Sequence, residues 1–159
     1  MVVYFSTTGH TEEVANMIAS YINAPIHELV PVDPYTSEDL RYSDSNSRVS
    51  QERNDSDHIT ELVDVDFEEF DDSHYIFLGA PVWWGELSYV IKDFVLSNDF
   101  TDKTIIPFAT ASSSNFSVSD LTYLSEEATW MEGRRFRQSK ISETNVANWI
   151  DSLNISFNN

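Results

Sequence analysis

Cysteine is absent from this 159-residue chain. That excludes disulfides and any thiolate metal site. Basic residues are scarce: nine Lys and Arg stand against 27 Asp and Glu, for a formal net charge of −18. A field of that sign repels phosphate backbones and anionic lipid, which argues against nucleic-acid binding and membrane docking. No apolar run reaches the roughly 20 residues needed to span a bilayer, and no basic-then-apolar leader opens the sequence. His27, His58 and His74 lack ligand spacing, and Asp55/Asp57 and Asp64/Asp66 lack a calcium-loop pattern, so no metal is expected. No side-chain acid, base or nucleophile stands out as catalytic. The expectation is a single soluble domain over residues 1–159, in a reducing cytoplasm, monomeric or weakly dimeric.

What is present is apolar material in short, ordered runs. Hydrophobic residues make up 41% and aromatics 13% of the chain, enough for a packed core. Val2-Val3-Tyr4-Phe5 reads as a buried strand. Val14, Met17, Ile18, Tyr21 and Ile22 then repeat at helical spacing, with Glu12 and Glu13 in the first turn and Asn23-Ala24-Pro25 as the stop. Ile26–Val30, interrupted by His27 and Glu28, suits an edge strand. Residues 31–74 form a polar excursion; between Gln51 and His74 there are ten acidic residues and one arginine, and Phe67 and Phe70 are its expected anchors.

Tyr75–Gly79 is the clearest buried strand, followed by a loop at Pro81–Gly85 and a helical stripe of Leu87, Val90, Ile91, Phe94 and Val95. Thr104–Ala109 is another strand, with Pro107 expected near its end because proline removes a ladder donor. A Ser-rich loop, a short helix around Leu121 and Leu124, a last strand at Ala128–Met131 and a helix from Ser142 through Leu153 complete the chain. This alternation predicts an α/β fold, a parallel sheet with helices on both faces. Ligands in such sheets lie beyond the carboxyl ends of the strands. Loops 6–11, 80–86 and 109–119 all follow strands, so they should converge on one site.

Ser6, Thr7, Thr8, Gly9, His10 and Thr11 offer hydroxyls, a tight turn and the free amides of a helix start, an arrangement suited to one phosphate. The loop lacks the lysine of a triphosphate loop and the spaced glycines of a dinucleotide loop. An ordinary helix cap accounts for the same residues equally well. In Pro81, Val82, Trp83, Trp84 and Gly85, one indole is expected to pack inward and the other to offer a stacking surface at the mouth. Thr110, Ala111, Ser112, Ser113, Ser114 and Asn115 add amides and hydroxyls. Arg134, Arg135 and Arg137 form the one basic cluster and read as charge balance on an acidic surface.

Together VVYFSTTGHTEEVA at 2–15, YIFLGAPVWWG at 75–85 and DKTIIPFAT at 102–110 resemble the flavodoxin family, and within it small flavodoxin-like proteins with a Pro-x-Trp-Trp-Gly loop. The resemblance implies a flavodoxin-like three-layer sandwich, a five-stranded parallel sheet in the order 2-1-3-4-5, and non-covalent FMN. It places the phosphate on Ser6, Thr7, Thr8, His10 and Thr11, and the ring against Pro81, Val82, Trp83, Trp84 and Gly85. Thr110–Asn115 would close over the other edge. The chain departs from the family at His10, where asparagine is usual, and at Ser112, Ser113, Asn115 and Ser117, where relatives with this loop carry several glycines. The implied function is an electron carrier that meets a redox partner with a basic face. An FMN-dependent NAD(P)H:quinone-type oxidoreductase and a flavin-free binding module are the alternatives.

Overall fold

The computed structural model describes residues 1–112 and 115–157. Its elements alternate as the patterning requires. β1 (Val2–Tyr4) leads to α1 (His10–Ile22), β2 (Ile26–Glu28), α2 (Arg48–Asn54) and β3 (Tyr75–Trp83). Then come β4 (Glu86–Leu87), α3 (Lys92–Ser97), β5 (Thr104–Ala111), α4 (Ser119–Leu124), β6 (Thr129–Trp130), β7 (Arg134–Arg137) and α5 (Glu143–Ser152). The main sheet runs β2-β1-β3-β5-β6, with β7 also on β5 and β4 folded back on β3. All pairings except β3–β4 are parallel. With β6 and β7 sharing the last position, this is the expected 2-1-3-4-5 order.

Alternation along the strands builds two cores. Val2 and Tyr4 face α1 and α5, together with Phe77, Ile106, Phe108 and Trp149. Val3 and Phe5 face the opposite layer, with Leu78, Trp83, Phe94, Phe100 and Ile105. The period of two that makes each strand double-sided is what forces three layers. Helix α1 buries Val14, Ile18 and Ile22, whereas Tyr21 of the expected stripe is exposed and donates to Asp151 Oδ1 at 2.7 Å. Asn23, at φ 51°, ends the helix in the left-handed region. Ser142 caps α5, accepting from the Asn145 amide at 3.3 Å.

Four expectations need correction. Pro81, Val82 and Trp83 belong to β3, which runs on into a hairpin instead of opening into a loop. Leu87 sits in β4, and a 3₁₀ turn at Tyr89–Ile91 precedes α3, although the whole stripe from Leu87 to Val95 is buried as the spacing implies. Pro107 lies mid-strand. β6 pairs with Thr104 and Ile105 while β7 pairs with Phe108 through Ala111, so Pro107 stands opposite the corner between them, where its missing N–H costs no ladder bond. Finally, the last strand is split, and its larger part is the Arg-rich β7.

The 31–74 excursion is tied down more firmly than its composition suggests. Phe67 and Phe70 are buried as expected, and so are Val49 and Leu62. Asn98 Nδ2 donates to the Val65 carbonyl at 2.9 Å, and the Leu62 amide donates to Asp93 Oδ2 at 2.9 Å. Lys103, buried at the start of β5, donates to the carbonyls of Phe70, Asp71 and Ser73 at 2.8, 3.0 and 3.1 Å. Its ammonium also sits 4.6 Å from the Phe70 ring centroid. None of the described helices is long and apolar enough to cross a membrane. Replacing Lys103 by Met keeps the stem but strands three carbonyls, and should lower unfolding free energy by about 2 kcal/mol. Urea unfolding reads this; an unchanged midpoint would show that the ammonium anchors nothing.

Candidate functional site

Parallel pairing brings the carboxyl ends of β1, β3 and β5 to one edge, in the registers Tyr4–Gly79 and Pro81–Thr110. The loops that leave these ends are bonded together. Thr11, buried in the first turn of α1, and Thr110, buried at the end of β5, place their hydroxyls 2.8 Å apart across 99 residues. The Phe5 amide donates to the Gly79 carbonyl at 2.9 Å. Ser117 donates its amide to the Gly85 carbonyl at 2.9 Å and accepts from the Leu87 amide at 3.0 Å. Loops 6–11, 80–86 and 109–119 therefore do converge.

The first loop is partly committed to itself. Gly9 caps α1 at φ 87°, and its amide donates to Ser6 Oγ at 3.2 Å. The helix begins at His10, and Glu13 is the first residue whose amide reaches back, to the Gly9 carbonyl at 2.9 Å. The His10, Thr11 and Glu12 amides thus have no backbone acceptor among the described residues. Of the two hydroxyl protons on Thr11 and Thr110, one is spent between them. Thr7 is half-buried and Thr8 exposed, and no side-chain hydrogen bond engages either among the described residues. What this corner offers is a set of neutral donors around a helix start.

The two tryptophans divide as expected. Trp83 is buried at 3% exposure in a cage of rings: Phe5, Tyr35, Tyr42 and Tyr89, at centroid distances of 5.7, 5.4, 6.2 and 5.2 Å. Its buried indole N–H has no acceptor among the described residues. Trp84 is half-buried at the mouth, with Tyr42 edge-on at 5.3 Å and the Arg53 guanidinium 4.7 Å from its ring. Trp84 and Gly85, at φ 50° and 85°, form the two-residue turn that joins β3 to β4. A Cβ at Gly85 would meet nothing within 4 Å, so only the backbone conformation demands glycine there. The Gly85 carbonyl is held by Ser117, which leaves the peptide between Trp84 and Gly85 as the one able to turn.

Thr110 and Ala111 of the third loop are in fact the last residues of β5. Ser112 and Asn115 are exposed beyond it, and Ser113 and Ser114 lie outside the described residues.

Sequence reasoning missed the wall that the excursion builds behind Trp83. Glu52, on α2, is its centre. Its carboxylate accepts from Tyr35 Oη at 2.6 Å, Tyr89 Oη at 2.9 Å and Arg48 Nε at 2.7 Å. Tyr89 also donates to the Val49 carbonyl at 3.2 Å, and Arg48 reaches Asp33 Oδ2 at 3.1 Å. Burial, then the bond to Glu52, pushes the Tyr35 phenol well up; burial, then neighbouring Tyr35, does the same for Tyr89. Three tyrosines in a polar, acidic stretch and its neighbouring helix start were the available signal: a solvated face has no use for them.

The leftover donors supply a test of ligand chemistry. A helix start whose first amides lack backbone acceptors lies at the carboxyl edge of the sheet, and half-buried Trp84 lies in the hairpin turn at the end of β3. A phosphoryl group and a flat ring bearing carbonyls fit that set. The implied FMN therefore suits the residues present.

This is the architecture of a doubly wound α/β protein, with a helix start and an aromatic mouth at the carboxyl edge of its sheet. A family model described as flavodoxin matches residues 1–153. The chain belongs to the flavodoxin family. Among solved structures, a candidate flavoprotein from Bacteroides uniformis ATCC 8492 is 33% identical, with 95% of this chain and 96% of that one covered and a TM-score of 0.88. Another from Bacteroides eggerthii DSM 20697 is 29% identical over 98% and 97% of the two chains, also with a TM-score of 0.88. A flavoprotein from Lactobacillus acidophilus NCFM, solved in complex with FMN, is 21% identical over 94% and 96%, with a TM-score of 0.70. No curated protein matches.

Two outcomes follow from the wall. Glu52→Gln leaves the two phenols a weaker acceptor and Arg48 only the exposed Asp33 as its anion, and should cost about 1–2 kcal/mol. Urea unfolding and the near-ultraviolet dichroism of Trp83 read it; a variant with wild-type values of both would remove Glu52 from its central place. The second outcome concerns alkali. Tyr4, buried in β1, is raised by burial from 10.0 to about 12. Tyr35 and Tyr89 shift the same way, so the folded state keeps phenolic protons that the unfolded chain loses. Stability should be full below pH 10.0 and fall as pH rises towards about 12. Thermal melts across that range check the sign; a midpoint that holds or rises would contradict it.

Proposed function

We propose that the chain binds FMN non-covalently and acts as an electron carrier. The observation that supports this most directly is the meeting of unpaired α1 amides with the Trp84 mouth at one sheet edge. In this reading the first-turn amides, with Thr7, Thr8 and the remaining proton of the Thr11–Thr110 pair, receive the phosphate. Ser6 serves indirectly, by holding the Gly9 amide at 3.2 Å and so setting the loop. His10, first in the helix, adds a donor where a carboxamide is usual in the family.

Trp84 is the stacking surface, since Trp83 is enclosed. Trp83 contributes the rigidity of its cage. Pro81 and Val82 form the strand floor, and Gly85 lets the adjoining peptide present either its N–H or its C=O to the ligand. Thr110, Ala111, Ser112 and Asn115 would close the opposite edge.

Bound FMN would supply the redox chemistry; the protein supplies orientation, dry walls and field. A formal charge of −18 disfavours added negative charge in the site, which favours a low potential. The exposed acidic residues of the 51–74 stretch would draw a redox partner with a basic face, an attraction that salt weakens.

Titration of the ligand-free protein with FMN tests the reading. The expected result is a perturbed flavin absorbance with quenched tryptophan emission. Riboflavin, which lacks the phosphate, should bind at least about tenfold more weakly, as charge-assisted bonds to amides imply. Equal affinity for the two would place the anchor elsewhere, and no spectral change with FMN would overturn the reading. A carrier should also leave reduced nicotinamide unconsumed when no other protein is present.

A further inference from the structure

Four of the nine basic residues, Arg134, Arg135, Arg137 and Lys140, fall within seven positions. In a chain with 27 carboxylates, simple electrostatics would pair them. Yet among the described residues none of the four lies within ion-pair distance of any carboxylate. Elsewhere Arg41 and Arg48 have carboxylate partners, Lys103 is spent on carbonyls, Arg53 lies over the Trp84 ring, and Lys92 stands singly without an ion pair among the described residues; within the cluster Arg134 lies 5.6 Å from the Phe136 ring centroid.

The four belong to β7 and the 3₁₀ turn after it, at the outer edge of the sheet. With Phe136 and Asn145 they line a cavity of about 330 Å³. The Nε and Nη1 atoms of Arg135 are buried but have no acceptor among the described residues. Buried donors are rarely left without a partner in a folded protein, so these two call for an acceptor from outside the chain.

Guarding an exposed strand edge against pairing is one use for charge. Lysine is the usual residue for that task, however, and three of these four cations are arginine. A positive patch kept free of its own carboxylates calls for a different explanation.

We propose that the cavity beside β7 is a phosphate-binding site, which takes the phosphate of a small nucleotide through Arg134, Arg135, Arg137 and Lys140. Planar guanidinium forks match phosphate oxygens two at a time. The size suits a phosphate with its sugar and not a folded partner. Long-range charge points the same way: an acidic protein would feel the −18 of the whole molecule, whereas a compact anion within a Debye length of about 8–10 Å feels the local cluster. The register gives the site a place near the ligand edge. Phe136 pairs with Thr110, whose hydroxyl touches Thr11 at the start of α1. Adjacent strands lie about 4.8 Å apart. A nucleotide held here is a near neighbour of the α1 cradle, yet the two sites share no residue, and the proposal stands whether or not FMN binds.

Calorimetric titration with inorganic pyrophosphate and with adenosine 2′,5′-bisphosphate, on the protein with and without FMN, tests it. Saturable binding of one equivalent is expected, equal in both forms and weaker at higher salt. Arg135→Gln should weaken binding about tenfold or more, by loss of a bidentate charged contact. Because Arg135 is partly buried, the exposed pair Arg134→Gln/Arg137→Gln provides a second variant, with a similar loss expected while circular dichroism stays unchanged. Absence of saturable binding overturns the proposal, as does affinity unaffected by that exposed pair. Competition by FMN also overturns it, since the anion would then occupy the α1 cradle. Binding of a glutamate-rich peptide in place of either phosphate probe would assign the patch to an acidic protein and overturn it too. Failure of FMN itself to bind is read separately, from flavin absorbance, and leaves these outcomes standing.

Discussion

Parallel alignment of β1, β3 and β5 is the constraint on which everything else rests. It sends three carboxyl ends to one edge, and with them three loops separated by tens of residues in the chain. The 2.8 Å contact between the Thr11 and Thr110 hydroxyls is the local expression of that alignment. A side chain from the first helix turn and one from the end of β5 can meet only if both strands stop at the same level. The meeting of the three loops is thus a product of strand register before it is a product of any individual residue.

Around that edge the molecule separates rigidity from openness. Trp83 is enclosed by four aromatic rings, and the phenols of Tyr35 and Tyr89 are locked onto Glu52. A buried carboxylate with three donors is costly to disturb, so the excursion that carries it is held as a wall. Lys103 does the same at the other end of the excursion with backbone carbonyls as acceptors. Donors left unused, in contrast, gather at the helix start, on the Trp83 indole and on Arg135.

Charge is distributed by the same logic. The acidic excess lies on exposed faces, where self-repulsion is weakened by water, while the cations are few and placed. Arg48 closes a buried network, Arg53 covers Trp84, and the β7 arginines stand apart from every carboxylate described. Net charge alone says nothing of such local grouping; at close range a cluster of cations outweighs the distant total.

The sequence by itself determined the alternation of strands and helices, the faces each would bury, and the three loops that meet at one edge of the sheet. It did so because side-chain periodicity and turn residues act over a few positions, as in Val14–Ile22 and Tyr75–Gly79. It also marked Trp83 and Trp84 as a pair with divided roles. Only the tertiary structure decided which indole went inward, since that depends on Tyr35, Tyr42 and Tyr89 arriving from elsewhere in the chain. Tertiary structure likewise lengthened β3 through Pro81–Trp83, where pairing with β4 and β5 overrides the local look of a loop. It also placed Pro107 opposite a gap, and it turned an arginine-rich turn region into an edge strand beside Thr110. Those outcomes rest on contacts between distant segments, and no local pattern carries information about a partner that lies tens of residues away.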